Sequence, residues 1–378
     1  MRMTRILHVI DSLGAGGAER NLLQTAAYLA GRGMEQRVVS LYDDDDLAAD
    51  FTGRGIGVVS LGLLRRFFLL PFALRPLLKA AKKWKPDLIS TQLIPSDILG
   101  RTAAKRLGIP VISTWQNAPY DAPNLLAHSL RARVALRISR KFDRGTSGYA
   151  CRFIAVSRSV RKSYCCALGI DPVRCDVIPN SVDLSRFPAE KSERAERTGT
   201  LRLIHVGRHV LQKGLSTLFR ALRVVPDSLD VSVDLFGKGP LSTSLEREVR
   251  DNGIESRVRF RGTVLDVVPH LLDADAFVFP SVHEGLSLAY VEALAAGLPV
   301  IASDVPANKE VDPNSRATLF FPEGDADALG RAITALAETL ELRKTLAKRA
   351  QALAEPYSHE RIGSRYYDLI ESLGGRSS

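Results

Sequence analysis

Cysteine is scarce in this chain, and the few cysteines present do not form a recognisable site. The 378 residues include four, which are Cys151, Cys165, Cys166 and Cys175. None belongs to a C-x-x-C pair, and no histidine stands near them at metal-ligand spacing, which argues against a zinc site. We therefore expect free thiols in a reducing, cytoplasmic environment.

Long apolar runs are also missing. No stretch approaches the roughly 18–20 consecutive apolar residues that span a bilayer. The N-terminal MRMTRILHVIDSLGAGG has a short apolar run, which is typical of a first β-strand and not of a signal peptide. The composition, 45% hydrophobic and 25% charged, is that of a globular protein. A chain of this length suggests two domains.

Acidic residues are under-represented in the first half of the chain. Residues 1–183 hold 27 Lys and Arg against 15 Asp and Glu, whereas residues 184–378 hold 25 against 27. The segment GLLRRFFLLPFALRPLLKAAKKWK (62–85) contains several basic residues, several large apolar residues and no acid. Such a stretch predicts contact with an anionic membrane surface, and therefore peripheral binding at the inner face of the cytoplasmic membrane. The alternative is an amphipathic helix that packs on its own domain. No motif indicates nucleic-acid binding.

Short β-rich apolar runs alternate with helical patterns in both halves of the chain. The strand candidates are 5–10, 36–41, 57–61, 87–91, 110–114 and 152–157, then 201–207, 231–237, 258–262, 276–281, 299–303 and 317–321. Continuous apolar strands separated by helices predict parallel sheets that are covered on both faces. We expect an α/β protein with two doubly wound, Rossmann-like domains, 1–183 and 201–358, facing a central cleft. The polar segment 184–200 would link them.

The segment HVGRHVLQKG (205–214) has features of a phosphate-binding turn. A strand ends at Gly207, Arg208 and Lys213 follow, and a helix begins after Gly214. The N-terminus of a helix attracts anions, an Arg side chain binds phosphate as a planar fork, and Lys supplies a mobile charge. The pair could neutralise a diphosphate without a metal ion. The alternative is two solvated cations. Gly237, in LFGKGPL (235–241), lies in a second tight turn where the backbone could approach a ligand.

Two glutamates flank the start of a helix in SVHEGLSLAYVEALAAGLPV (281–300). If the helix starts near Leu286, Glu284 precedes it, and the amides of residues 285–287 point toward an anion. Glu292 lies about two turns further along among small residues, where its carboxylate could accept two hydroxyl hydrogen bonds, as from a ribose. The alternatives are a helix cap for Glu284 and an exposed surface acid for Glu292.

Two other motifs indicate functions that we consider less consistent with the sequence. LGAGGAER follows a strand as a dinucleotide-binding loop would, but Glu19 occupies the place of the third glycine of that fingerprint. The run DDDD (43–46) could suggest a metal site. Four adjacent acids cannot all face one ion, however, so a solvated turn is expected.

In their order and spacing, these motifs resemble those of the retaining GT-B glycosyltransferases of family 4. The matching segments are Gly-Arg-x4-Lys-Gly (207–214), Glu284-x7-Glu292 with the following A-x-G-x-P-V-I-A-S, VIPNSVDLSRF (177–187), RFRGTV (259–264) and GAGGAERN (14–21). The resemblance covers essentially the whole chain. It implies a first domain that binds the acceptor and a second that binds a nucleotide-sugar. It also implies that the last helix, within 359–378, crosses back to the first domain.

The resemblance also implies a role for each matching residue. Arg208 and Lys213 would hold the diphosphate and stabilise it as the leaving group. Glu284 would lie near the donor sugar and Glu292 would bind the ribose. The remaining donor-side residues would be Gly237, the amides of Gly285, Leu286 and Ser287, and Thr263 and Val264 near the base. On the acceptor side, Gly16 and Gly17 would lie near the transferred group.

One position departs from the family pattern. Relatives often have a histidine after the strand that reads PVIST here, whereas this chain has Trp115, Gln116 and Asn117. Gln116 can hydrogen-bond a sugar hydroxyl but cannot exchange a proton near pH 7. A catalytic role at this acceptor-side position therefore does not carry over. Ser181, where relatives often have Gly, is a milder change.

The sequence as a whole indicates a retaining glycosyltransferase that needs no metal cofactor. It would move a sugar from a nucleotide-diphosphate sugar to a lipid-linked or cell-surface glycan precursor. Other functions on this fold stay open: a sugar-nucleotide epimerase, a glucan phosphorylase, or a catalytically silent sugar-nucleotide-binding or membrane-scaffold protein. The base, sugar, acceptor and linkage are not specified by these motifs.

Overall fold

The chain divides into two compact units. The computed structural model describes residues 5–63, 70–121, 130–188 and 199–374. Unit 1 runs to Ser181 and resumes at His359, whereas unit 2 is the continuous stretch Val182–Ser358. The predicted linker, 184–200, is described only at its ends, and residues 184–188 belong to unit 2.

Unit 1 is built on a seven-stranded parallel sheet. Its strands are β1 (Arg5–Ile10), β2 (Glu35–Ser40), β3 (Gly57–Ser60), β4 (Leu88–Gln92), β5 (Val111–Trp115), β6 (Arg152–Ala155) and β7 (Cys175–Val177), in the spatial order β3-β2-β1-β4-β5-β6-β7. The first six lie within two residues of the predicted strands. The sequence analysis missed β7 because three residues, one of them Asp176, give no apolar run.

The helices of unit 1 alternate with these strands. They are α1 (Gly17–Gly31), α2 (Ala48–Gly53), α3 (Leu70–Trp84), α4 (Ile94–Leu107), α5 (Leu130–Ser147) and α6 (Arg158–Leu168). Among the strands between them, β4 and β5 are buried along their whole length. Burial along the whole strand is expected when helices cover both faces of a parallel sheet.

Unit 2 repeats this arrangement with six parallel strands. They are β8 (Leu201–Val206), β9 (Val231–Phe236), β10 (Val258–Gly262), β11 (Ala276–Phe279), β12 (Val300–Ser303) and β13 (Thr318–Phe321), in the order β10-β9-β8-β11-β12-β13. Its helices are α7 (Leu215–Val224), α8 (Ser242–Asp251), α9 (Val268–Asp273), α10 (Leu288–Ala295), α11 (Pro306–Val311), α12 (Ala326–Glu338) and α13 (Leu340–Ala354). The last helix of the chain, α14 (His359–Gly374), is part of unit 1.

Helix α14 completes the core of unit 1. Ile362, Tyr366 and Ile370 are buried in one apolar cluster with residues of the sheet and of α1. At the start of the helix, the His359 ring meets the edge of the Tyr28 ring at 5.5 Å between centroids. Unit 1 therefore contains two separate parts of the chain, whereas unit 2 is continuous.

Each sheet has a point at which the winding direction reverses. In unit 1, β1 lies between β2 and β4, and in unit 2, β8 lies between β9 and β11. The loops that follow neighbouring strands at such a point lead to opposite faces of the sheet, and the crevice between them is the usual ligand site of this architecture. The prediction of two doubly wound α/β domains is therefore confirmed.

The basic segment 62–85 is described at 62–63 and from residue 70 onward. From Leu70 it forms α3, in which Leu74, Leu77 and Trp84 are buried in unit 1 whereas Phe72 is 71% exposed. Its cations, including Lys79, Lys82 and Lys83, are exposed. Most of the apolar face of α3 is thus packed in its own unit, as in the alternative interpretation of this segment, and Phe72 lies outside this packing. None of the helices described is both long and apolar enough to cross a membrane.

Candidate active site

The loop between β8 and α7 brings the predicted phosphate-binding cations to the carboxyl edge of the unit 2 sheet. Arg208 follows Gly207 directly and is exposed, and its side chain has no hydrogen bond or ion pair within the described ranges. Lys213 ends a single 3₁₀ turn, Leu211–Lys213, that leads into α7. One cation is therefore open to solvent, and the other is held by the fold.

Gly214 allows this loop to lie against the end of β11. Its φ of +62° belongs to the left-handed region, and a Cβ at this position would lie 1.9 Å from the carbonyl oxygen of Pro280. A side chain is excluded both by the backbone conformation and by the contact. The glycine therefore fixes the distance between the loops that follow β8 and β11.

The loop after β11 is hydrogen-bonded to the loop after β8. The Val282 amide donates to the Gln212 carbonyl at 2.8 Å, and Gln212 Nε2 donates to the His283 carbonyl at 3.0 Å. These bonds bring Glu284 Oε1 to 2.7 Å from Lys213 Nζ, with 14% and 6% of the Lys and Glu side chains exposed. Lys213 Nζ also lies 5.0 Å from the centre of the Phe279 ring. The ion pair thus bridges the two loops of the winding-reversal point, where the architecture binds ligands.

A second close approach joins the ends of β8 and β9. Gly237 has φ +122°, and a Cβ there would lie 2.1 Å from the Gly207 carbonyl oxygen. The Gly237 amide donates to the Gly262 carbonyl at 2.7 Å, which ties β10 to the same edge. Thr263 and Val264 follow β10 directly, with Thr263 exposed. The loops predicted to carry phosphate and base contacts therefore leave the same edge of one sheet.

Helix α10 begins two residues later than the sequence analysis expected. Its first residue is Leu288, and Ser287 is the N-cap, whose hydroxyl accepts from the Tyr290 amide at 3.4 Å. The prediction of a start near Leu286 was wrong because the Ser287 hydroxyl can end the loop at that point. Gly285 and Leu286 precede the helix and are buried. The helix-terminal amides are therefore those that begin at Leu288, and those of Gly285, Leu286 and Ser287 are loop amides.

Glu292 is buried in the middle of α10. Only 8% of its surface is exposed, and its neighbours Val291 and Ala293 are apolar and fully buried. It is therefore not an exposed surface acid, which was the alternative interpretation. A carboxylate kept in such surroundings needs hydrogen-bond donors, from the protein or from a ligand.

His205 is a polar residue of this edge that the sequence analysis did not identify as functional. It lies in β8, fully buried, with Nδ1 3.0 Å from the Val278 carbonyl oxygen and stacked on Phe277 and Phe279. Burial lowers the pKa of His205 to about 3, and the charge of Lys213 acts in the same direction. His205 is thus neutral at physiological pH. The only sequence signal was a polar residue within an apolar strand.

In unit 1, the glycine-rich loop lies at the corresponding place after β1. Gly16 is the N-cap of α1 and Gly17 is its first residue. The Ala15 amide donates to Asp46 Oδ2 at 3.2 Å, and the Leu13 amide donates to the Asp44 carbonyl at 2.6 Å. The run DDDD is exposed, as expected of a turn, but it also supports the glycine loop.

Gln116 lies just after β5, at the carboxyl edge of the unit 1 sheet. It is half-buried, and its Nε2 donates to Oε1 of Gln92, the last residue of β4, at 3.2 Å. The amide oxygen of Gln116 is then left to accept a hydroxyl hydrogen. Trp115 beside it is a core residue, stacked on Tyr164 at 4.3 Å. The sequence analysis predicted Gln116 but not its partner, because Gln92 ends an apolar strand with no surrounding motif.

No cluster of three or more His, Cys, Asp or Glu side chains in the described ranges is arranged to hold a metal ion. Independence of a metal cofactor stays a prediction. The cations of unit 2 supply the positive charge at the edge of its sheet, with Arg208 open to solvent and Lys213 joined to Glu284.

Two family models match this chain, one for each half. A model described as Glycosyltransferase Family 4 matches residues 15–186, and a model described as glycosyl transferases group 1 matches residues 200–339. The phosphatidyl-myo-inositol mannosyltransferase of Mycolicibacterium smegmatis is 26% identical over 371 residues, which cover 95% of this chain and 91% of the relative. The Escherichia coli UDP-Gal:alpha-D-GlcNAc-diphosphoundecaprenol alpha-1,3-galactosyltransferase is 28% identical over 272 residues, or 68% of each chain.

The fold is shared with solved structures along almost the whole chain. The crystal structure of Anabaena HepE in complex with UDP-glucose superposes with a TM-score of 0.82 at 21% identity, covering 97% of this chain and 99% of the other. The two family models, the similar relatives and the two doubly wound sheets all indicate the same family and fold. This chain therefore belongs to the family 4 glycosyltransferases of the GT-B type and is a glycosyltransferase.

Proposed function

We propose that the protein is a retaining glycosyltransferase whose unit 2 binds a nucleotide-diphosphate sugar. The observation that carries the proposal is the Lys213–Glu284 ion pair at the winding-reversal point of the second sheet, with the exposed Arg208 on the same loop as Lys213. A guanidinium and an ammonium at one sheet edge suit the two phosphates of a donor.

Lys213 and Arg208 would act on the leaving group. As the bond between the anomeric carbon and the phosphate oxygen breaks, the electron pair goes to the nucleoside diphosphate, and the two cations stabilise the developing charge. The acceptor oxygen forms the new bond to the anomeric carbon, and its proton passes to the leaving diphosphate. Because the cations stabilise the charge that develops as this bond breaks, they lower the barrier as well as binding the donor. No metal ion is needed in this proposal.

The two glutamates would have different tasks in donor binding. Glu284 holds Lys213 before the donor arrives, and a phosphate oxygen that bonds to Lys213 would release the Glu284 carboxylate to accept a sugar hydroxyl. The buried Glu292 would accept the ribose hydroxyls. Gly237, Thr263 and Val264, at the ends of β9 and β10, would border the nucleotide, and the loop amides of Gly285, Leu286 and Ser287 would bind phosphate or sugar oxygens.

Unit 1 would bind the acceptor substrate, with Gly16 and Gly17 near the transferred group. The amide oxygen of Gln116 would accept a hydrogen bond from a hydroxyl of that substrate. Two relatives carry names that specify an inositol phospholipid or a diphosphoundecaprenol-linked sugar. By similarity to them, we propose a lipid-linked or cell-surface glycan precursor as acceptor, at the cytoplasmic face of the membrane. The cations that α3 exposes are consistent with an anionic surface nearby.

A donor panel tests the enzyme activity directly. Release of nucleoside diphosphate is measured for purified protein with each common nucleotide-sugar and with a lipid-linked acceptor, alongside the variants Lys213→Met and Glu284→Gln. Lys344→Met is the matched control, because Lys344 lies on α13 and pairs with Glu341 of its own helix at 3.5 Å. We expect the first two variants to lose most of the turnover and the control to keep it.

The same panel separates the alternative functions. An epimerase would produce an isomer without acceptor, a phosphorylase would require phosphate, and a silent binding protein would bind a donor without turnover. A product whose anomeric configuration is inverted relative to the donor would contradict the retaining mechanism.

A further inference from the structure

One ring nitrogen of His205 is a buried hydrogen-bond acceptor. Its Nδ1 lies 3.0 Å from the Val278 carbonyl oxygen, which can only accept, so Nδ1 carries the ring proton and Nε2 carries the lone pair. The residue is fully buried, and Nε2 has no hydrogen-bond partner among the residues that the structure describes. Because an unsatisfied buried acceptor costs free energy, a donor that reached this nitrogen would be bound favourably.

The side chain of Lys213 passes next to this nitrogen. A Cβ at Gly207 would lie 3.0 Å from His205 Nε2 and 3.2 Å from Lys213 Cε. The ring nitrogen and the end of the lysine side chain therefore lie on the same side of Gly207, around the space that a side chain there would occupy. Phe279 lies beside both groups, since its ring stacks on His205 and its centre is 5.0 Å from Lys213 Nζ. Glycine at position 207 thus lets the two side chains approach each other.

The Lys213 ammonium has more donors than the fold uses. It carries three N–H groups, and in the described part of the chain one of them donates to Glu284 Oε1, at 2.7 Å. The two acceptors around this lysine differ in charge. The Glu284 carboxylate neutralises the ammonium, whereas the neutral His205 ring could orient it and leave its charge available to an anion.

We propose that His205 is a positioning residue for Lys213, and that its Nε2 accepts a hydrogen bond from Lys213 when a phosphate oxygen displaces Glu284. The ammonium would then be fixed between the phosphate and an uncharged acceptor, with its full charge directed to the leaving diphosphate. His205 would act through Lys213 and would not contact the donor itself. The inference rests on the proposed function, since it requires a diphosphate that binds Lys213.

The first test measures binding of pyrophosphate, which carries the diphosphate of a donor without its base or sugar. His205→Phe keeps an aromatic ring and removes both nitrogens. His205→Gln loses the ring but keeps a donor for the Val278 carbonyl and an acceptor in place of Nε2. The matched control is His8→Phe, because His8 is a buried histidine in β1, the first strand of unit 1.

In calorimetric titrations, we expect His205→Phe to bind pyrophosphate about tenfold more weakly than the wild type, because a hydrogen bond to a charged group is lost. His205→Gln should bind more tightly than His205→Phe, and His8→Phe should bind like the wild type. The donor KM of His205→Phe should rise by a similar factor with little change in kcat, since the bond is present throughout the donor complex. The reverse order, with normal binding in His205→Phe and weak binding in His205→Gln, would assign the effect to ring packing and overturn the proposal.

A second test observes the same bond in the wild-type protein. Nitrogen-15 NMR of histidine-labelled protein reports whether a ring nitrogen accepts a hydrogen bond, and the His205 signals are those missing from His205→Gln. We expect the Nε2 signal of a free acceptor without ligand, and a shift toward that of a hydrogen-bonded nitrogen when pyrophosphate is added. The shift should be absent in Lys213→Met. A hydrogen-bonded signal before ligand is added, or the same shift in Lys213→Met, would contradict the proposal.

Failure of this inference and failure of the proposed function give different results. If Lys213→Met binds pyrophosphate as tightly as the wild type, or the wild type does not bind it, the phosphate site is wrong and both proposals fall. If Lys213→Met loses binding while His205→Phe binds like the wild type, the proposed function stands and His205 has no part in it.

Discussion

Each unit pairs a cation with carboxylates, but the two pairs differ in their access to solvent. Arg101 of unit 1 is fully buried between Asp97 and Asp143, which are also fully buried and belong to α4 and α5. Lys213 of unit 2 has one carboxylate partner, and 14% of its side chain is exposed at a sheet edge. The first arrangement joins helices permanently. The second can exchange its carboxylate for the anion of a ligand.

Removing the buried cation should have the largest effect on stability. Arg101→Met leaves Asp143 and Asp97 buried without their counter-ion, so we expect the free energy of unfolding to fall by about 3–5 kcal/mol. Urea denaturation followed by circular dichroism measures this fall. Donor turnover per folded molecule should be close to that of the wild type. If Arg101→Met unfolds like the wild type but has lost turnover, the buried pair would serve activity and not stability, which would contradict the proposed difference between the two pairs.

The equivalent change in unit 2 should affect activity. We expect Lys213→Met to reduce donor turnover by about 10²–10³-fold, the cost usually found when one group that stabilises developing charge is removed. Its unfolding free energy should fall less than that of Arg101→Met, because it leaves one carboxylate beside a partly exposed position, whereas Arg101→Met leaves two fully buried carboxylates. Steady-state kinetics and urea denaturation on the same preparations give both numbers. Equal losses of stability in the two variants would remove the distinction.

Acid should weaken unit 2 through its first strand. Burial lowers the pKa of His205 to about 3 from 6.5, so this group stabilises the fold fully above pH 6.5, and the contribution is lost as the pH falls toward 3. His205→Phe keeps the ring stacking and cannot take up a proton. Its unfolding free energy should therefore fall less between pH 6.5 and 4.5 than that of the wild type, by up to about 2 kcal/mol. Denaturant titrations at the two pH values measure this difference, and parallel curves would contradict it.

The smallest effect concerns the amide pair of unit 1. Gln92→Leu removes the hydrogen bond that orients Gln116, and a single neutral hydrogen bond is worth about 0.5–1.5 kcal/mol. We therefore expect the acceptor KM to rise about 2–10-fold, with little change in kcat. In a double-mutant cycle, Gln92→Leu should add nothing to Gln116→Leu. Additive losses would mean that Gln92 binds the acceptor independently of Gln116.

The strands and the order of the motifs could be predicted from the sequence because their signals are local. A buried parallel strand is an apolar run, and Gly214 and Gly237 mark turns that exclude a side chain. The predicted start of α10 near Leu286 was two residues early, because Ser287 is a good N-cap and the helix begins after it. Boundaries of this kind depend on a single hydrogen bond.

Other features could not be predicted because they depend on distant partners. Asp46 supports the glycine loop from a separate turn, and Gln92 orients Gln116 from the neighbouring strand. Helix α5 exposes Val134, Ile138 and Phe142 because Asp143 on its other side fixes the helix by pairing with Arg101. From sequence alone, the apolar residues of α3 and α5 give similar patterns. Only the packed structure distinguishes the buried face from the exposed one.

The position of α14 has a consequence for the synthesis of the chain. Ile362, Tyr366 and Ile370 fill the core of unit 1, although most of that unit precedes Val182. During translation, unit 2 is complete once Ser358 has emerged, whereas the core of unit 1 still lacks its last helix. The earlier part of the chain would therefore reach its final packing later, and an incomplete unit 1 would expose apolar surface that chaperones recognise.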